Sequence, residues 1–113
     1  MTAIIRDPQA IEKKSFEIID AEVGSHPFSE QEWPIVRRIV HTSADYDFVM
    51  NTLISDGAVA SATAAIRDGC GIYCDTNMVL SGVNKKRLAD FGCRIACHVG
   101  DDDVAEQAAA EGV

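Results

Sequence analysis

Gly71-Ile72-Tyr73-Cys74-Asp75, then Met78-Val79-Leu80-Ser81-Gly82-Val83, then Cys93-Arg94-Ile95-Ala96-Cys97-His98-Val99: these three runs decide the fold. The first and last are short and apolar, and each stops at a polar or glycine signal, Asp75 and Gly100. They read as buried strands. The run between them is better suited to a helix than to extended chain, and Asn84 can cap a second short helix to Ala89. Two strands joined through helices need a crossover connection, which makes them parallel.

Outward from this unit the pattern is helical on both sides. Upstream, Ser55-Asp56-Gly57 leads into an alanine-rich helix from Ala58 to Arg67, closed by Asp68-Gly69. Downstream, Asp101, Asp102 and Asp103 start a last helix through about Glu111, with acidic side chains set against the positive end of its dipole. Near the N-terminus Asp7 can cap and Pro8 fits the first helical position. Ile11, Ser15, Ile18, Ile19 and Glu22 continue that helix to about Val23, and Gly24 ends it. Ser29-Glu30-Gln31-Glu32 has the capping-box pattern. Pro34 cannot lie deep in a helix, so the next one starts near it and runs to about His41, with Ile35, Val36, Ile39 and Val40 on its apolar side.

Residues 45–54 show no clean period and read as irregular or partly strand. The expected fold class is α/β, a mainly parallel sheet flanked by helices, in one domain over residues 1–113. Parallel sheets covered on both faces usually have more than two strands. Either residues 45–54 add one, or the remainder belongs to sequence beyond Val113.

Composition narrows the function. The chain has 113 residues, 47% of them hydrophobic, enough for a core and unlike a disordered segment. Its net charge is −8 and it has no basic stripe, which argues against nucleic acid as a partner. No apolar run approaches the roughly eighteen residues that cross a bilayer, and residues 1–7 lack the pattern of a secretory leader. A cytoplasmic protein without membrane contact is expected. The cysteines are spaced Cys70-x3-Cys74 and Cys93-x3-Cys97. Four residues of strand span about 13 Å, too far for two thiolates of one strand to share a tetrahedral ion. They read as packing thiols, and no metal site is expected.

Chemistry gathers at Arg37-Arg38-Ile39-Val40-His41-Thr42-Ser43-Ala44-Asp45. Arg38 and His41 are three apart and share a helix face, while Arg37 lies about 100° around. Arg38 could hold a substrate carboxylate while His41 gives or takes a proton beside it. The plainer alternative is that Arg38 pairs with a surface acid and His41 sits at a helix C-terminus. Ser15, in mid-helix, either contacts a ligand or bonds back to the preceding turn. Residues 75–78 follow a strand, where α/β proteins place ligand contacts, but a capped turn explains them too. His26 reads as exposed in its turn, and His98 as a core or edge histidine. No phosphate-binding glycine loop or nucleophile elbow is present.

In order along the chain, several segments together resemble the precorrin-8X methylmutases. They are Ile5-Arg6-Asp7-Pro8, Ser15-Phe16-Glu17-Ile18-Ile19, Val36 to Asp45, Ala58 to Gly69, and Cys74-Asp75-Thr76-Asn77-Met78-Val79. The resemblance implies an isomerase of cobalamin biosynthesis, moving a methyl group from C11 to C12 of the tetrapyrrole precorrin-8X to give hydrogenobyrinic acid. It implies His41 as general acid, Ser15 and Arg38 as substrate-binding residues, no metal or organic cofactor, and a homodimer with the site near the subunit interface. The family continues for nearly as many residues again after Val113. The resemblance therefore implies a fold incomplete at its C-terminus, with a complementing polypeptide as one expected partner. Two other readings are a catalytically inactive corrinoid-binding or assembly module, and a small α/β protein with no corrinoid role.

Overall fold

The computed structural model describes residues 4–113, so the reading of residues 1–7 falls partly outside them. The chain forms two compact units, Met1–Val59 and Ala60–Val113.

The first unit is helical: α1 is Pro8–Val23, α2 is Trp33–Ser43 and α3 is Asp47–Asn51. The Asp7 carboxylate accepts from Ala10 N at 3.1 Å, satisfying a backbone donor that the first turn leaves free. The capping box closes reciprocally. Ser29 N donates to Glu32 Oε1 at 2.9 Å and Glu32 N donates to Ser29 Oγ at 3.2 Å. This tight turn delivers Pro34 to the first turn of α2, where its missing N–H costs nothing. Val36 and Val40, one turn apart on α2, are fully buried, and Ile19 of α1 is buried with 6% exposure. These three form the core. Asp20 ties the same helices at their edge, accepting from Trp33 Nε1 at 2.8 Å and Arg37 Nη1 at 3.0 Å.

Two sequence expectations change here. α2 runs past His41 to Ser43, so the histidine lies in its last turn. Residues 45–54, expected to be irregular or a third strand, contain α3. The cause is local. Ala44 takes the left-handed conformation (φ 55°) and reverses the chain. Ser43 Oγ then accepts from Asp45 N at 3.2 Å, and Asp45 Oδ1 accepts from Asp47 N at 2.9 Å. Short polar side chains bonding to nearby amides start a helical turn more readily than an extended run, and α3 packs on α2.

The second unit contains α4 (Ala58–Arg67), β1 (Gly71–Cys74), α5 (Asn77–Gly82), α6 (Lys85–Asp90), β2 (Arg94–Cys97) and α7 (Asp102–Glu111). β1 and β2 pair in parallel with Gly71 opposite Arg94, Ile72 opposite Ile95, Tyr73 opposite Ala96 and Cys74 opposite Cys97. This is the strand–helix–strand unit read from the sequence. Thr76 Oγ1 caps α5 by accepting from Val79 N, and Asn84 Oδ1 caps α6 by accepting from Arg87 N. Gly69, at φ +78°, links α4 to β1, and a Cβ on it would stand 3.0 Å from the Phe91 carbonyl oxygen. Only glycine allows the two approaches to the strands so close together. Side chains alternate along β1: Ile72 and Cys74 are half-buried, Gly71 and Tyr73 exposed.

The valines carry the helical unit. Val36→Ala and Val40→Ala should each cost about 2 kcal/mol in urea unfolding, from lost transfer energy and a residual cavity. Met50→Ala, at a side chain 84% exposed, should change stability by no more than about 0.5 kcal/mol. Equal losses at all three positions would place the core elsewhere.

Candidate active site

The packing of α1 on α2 leaves a cavity of about 220 Å³ at the C-terminal end of α2. Ser15, Ile18 and Ile19 of α1 line one side, Val40 and His41 of α2 another, and Ala44 and Tyr46 the loop side. Its walls are mainly aliphatic, with a hydroxyl, an imidazole and a phenol as the polar groups. Ser15 and His41, chosen from the sequence, therefore meet in one pocket, although 26 positions separate them along the chain.

Arg38 is not part of that lining. Its Nη2 donates to Glu12 Oε1 at 2.8 Å, and both side chains are about half exposed. Its link to His41 runs through Phe16. The guanidinium of Arg38 stands 5.2 Å from the Phe16 ring centre, that of Arg37 4.5 Å, and the His41 ring meets Phe16 edge-on at 5.2 Å. One aromatic ring thus lies against two cations and, edge-on, against the imidazole. Arg37 also closes on Asp20, and its buried Nε has no hydrogen-bond partner. Beside this stack a shallow cleft of about 550 Å³ is bounded by Glu12, Phe16, Asp20 and Arg37, among others.

Tyr46 is a pocket residue that the sequence reading missed. Its hydroxyl faces Glu22; hydrogen bonding to that carboxylate, then burial and the negative charge, hold the phenol above its ordinary pKa of 10.0. No sequence pattern pointed to it, because its place depends on the reversal at Ala44. Phe16 was legible in principle. Glu12, Phe16 and Asp20 recur every fourth residue of α1, an acid–aromatic–acid stripe that complements Arg37, Arg38 and His41.

The remaining candidates fall elsewhere. Of residues 75–78, Thr76 caps α5, and Asn77 and Met78 begin it. His26 is half-buried rather than exposed: its ring stacks on Trp33 at 4.0 Å, and its Nδ1 accepts from Phe28 N. His98 lies just past β2, exposed, with Nδ1 at 2.7 Å from Asp101 Oδ2. Among the described residues no three histidine, cysteine or acidic side chains gather as metal ligands, and no helix is long and apolar enough to cross a membrane.

Comparison with known proteins identifies the family. The precorrin-8X methylmutase family model matches residues 10–113. A cobalt-precorrin-8 methylmutase of Leptospira interrogans is 48% identical over 87% of this chain and 44% of its own length. The cobalt-precorrin-8 methylmutase of Priestia megaterium is 42% identical over 89% of this chain and 45% of its own. A crystal structure of precorrin-8x methyl mutase from Thermus thermophilus superposes with a TM-score of 0.81 at 40% identity, covering 90% of this chain and 50% of the other. The chain spans about half the length of the curated relatives it matches.

The Tyr46–Glu22 contact has a pH signature. A phenol whose folded pKa is raised contributes stability that is complete below its unfolded pKa and is lost as pH rises through the folded value. Tyrosinate absorbance should show Tyr46 ionising above the ordinary value of 10.0, and Glu22→Gln should bring it down towards that value. An unchanged titration in the variant would remove Glu22 as the cause.

Proposed function

Because this chain belongs to the precorrin-8X methylmutase family, we propose that it acts in cobalamin biosynthesis as an isomerase. The reaction is migration of a methyl group from C11 to C12 of precorrin-8X, giving hydrogenobyrinic acid. The observation that carries this reading is the cavity in which Ser15 and His41 meet, at the end of a helix whose arginines flank Phe16.

In the proposed mechanism His41 is the general acid. It hydrogen-bonds to or protonates the macrocycle as the methyl group shifts, and it takes the proton back afterwards, so no atom is gained or lost. Ser15 faces it in the same pocket and holds the ring edge through its hydroxyl. The aliphatic walls of Ile18, Ile19 and Val40 keep water from the reacting edge. Arg38 binds a peripheral carboxylate of the substrate. To do so it exchanges its partner Glu12, and an exposed ion pair of this kind is worth only about 0.2–1 kcal/mol. A charged, bidentate bond to a substrate carboxylate outweighs that. The rearrangement is internal to the substrate, so the proposal includes no cofactor.

A homodimer in the cytoplasm completes the proposal. Met50 and Leu53, 84% and 95% exposed, are apolar side chains that association would cover.

Visible absorbance tests the reading directly. Hydrogenobyrinic acid added to the 113-residue chain should give saturable, near-stoichiometric binding, and precorrin-8X should be converted. His41→Ala should abolish conversion and leave product binding largely intact; equal loss of both would make His41 structural. Arg38→Ala should weaken binding by roughly 1.5–3 kcal/mol. An unchanged dissociation constant would take Arg38 out of the site.

A further inference from the structure

The parallel ladder sets the four cysteines in two pairs across the strands, a relation that their spacing along each strand conceals. Cys74 lies opposite Cys97 inside the ladder, and Cys70 and Cys93 occupy the corresponding positions just before it. Neighbouring strands lie about 4.8 Å apart, within the Cα separation that a disulfide accepts. Two further observations single out Cys70 and Cys93. Gly69, at φ +78°, brings the backbone before β1 so close to Phe91 and Gly92 that a Cβ would stand 3.0 Å from one carbonyl and 3.3 Å from the next. The two cysteine-bearing segments are therefore pressed together just where the ladder starts. The Cys93 thiol bonds to the Ile66 carbonyl at the end of α4 at 3.3 Å, and burial, then the nearness of Cys70, hold that thiol above its ordinary pKa. Both residues are half-buried.

We infer that Cys70 and Cys93 form a redox-active dithiol, a modification site that closes reversibly to a disulfide and staples the start of β1 to the start of β2. The natural oxidant class is a small disulfide such as oxidised glutathione. The Cys93 thiol is engaged by the Ile66 carbonyl, which leaves Cys70 as the attacking sulfur. The Cys70 thiolate attacks one glutathione sulfur, forming a mixed disulfide and expelling glutathione thiolate. Cys93 gives up its proton and attacks the Cys70 sulfur, expelling the second glutathione. Two protein thiols are oxidised and one glutathione disulfide is reduced to two thiols. The staple closes the loop that carries α5 and α6, so it acts on the crossover and does not depend on any corrinoid chemistry.

The test uses the folded 113-residue chain. After exposure to oxidised glutathione, free thiols are alkylated and the digest is analysed by mass spectrometry. The expected product has two of its four thiols lost to alkylation, a Cys70–Cys93 linked peptide, and a Tm raised by several degrees. Dithiothreitol should reverse all three. Cys93→Ser should stop at a stable glutathione adduct on Cys70. A lasting adduct in the unsubstituted chain, a Cys74–Cys97 link in its place, or four thiols still alkylated would each overturn the inference.

Discussion

Burial of Val36 and Val40 against Ile19 is the constraint on which the helical unit depends. The two valines are one turn apart on α2, so their contact fixes the rotation of that helix as well as its distance from α1. Once that rotation is set, the positions of the polar residues follow. His41 is one residue past Val40 and turns to the rim of the same contact, where Ser15 arrives one turn before Ile19. Arg37, one residue past Val36, closes on Asp20, one residue past Ile19. An apolar contact made by three side chains thus places the candidate acid, its hydroxyl partner and the cationic flank, and the exposed ion pairs add alignment more than energy.

In the second unit the corresponding constraint is the parallel register of β1 and β2. Parallel strands must be joined by a crossover, and here α5 and α6 supply it, each with its own side-chain cap. Register decides which residues become neighbours. It puts Ile72 beside Ile95 on the half-buried side, and Tyr73 beside Ala96 on the open side, where the Tyr73 ring lies 5.7 Å from that of His98.

Much of this was legible from residue order. Asp7-Pro8, the capping box at Ser29 and Glu32, and Asn84 all act within a turn of where they stand, so local pattern predicts them. The strands at residues 71–74 and 94–97 were readable because apolar runs ended at clear signals. Residues 45–54 were misread because their structure rests on Ala44, a residue with no ordinary preference for a left-handed backbone. The site divides in the same way. Arg38 and His41 were singled out by helical spacing and Ser15 by its place in mid-helix, with roles implied by resemblance; the structure brings Ser15 and His41 together but leaves Arg38 on Glu12. Tyr46 could not be found, since it reaches the pocket only by way of that reversal. The pairing of the cysteines was equally hidden, being a property of register between strands about two dozen residues apart.

The left-handed alanine has a consequence for rigidity. Among the described residues Ala44 is the non-glycine position with positive φ, and it stands at the pocket beside His41 and Tyr46. An L-residue held there stores roughly 1–2 kcal/mol of steric strain. Glycine would release it, but would also free the unfolded chain by about 0.4–1 kcal/mol. The second effect offsets part of the first, so the change in overall stability is smaller than the strain itself. Alanine makes this corner a hinge with few accessible angles, and the chain from His41 to Tyr46 is thereby confined to a narrow range of paths along the pocket.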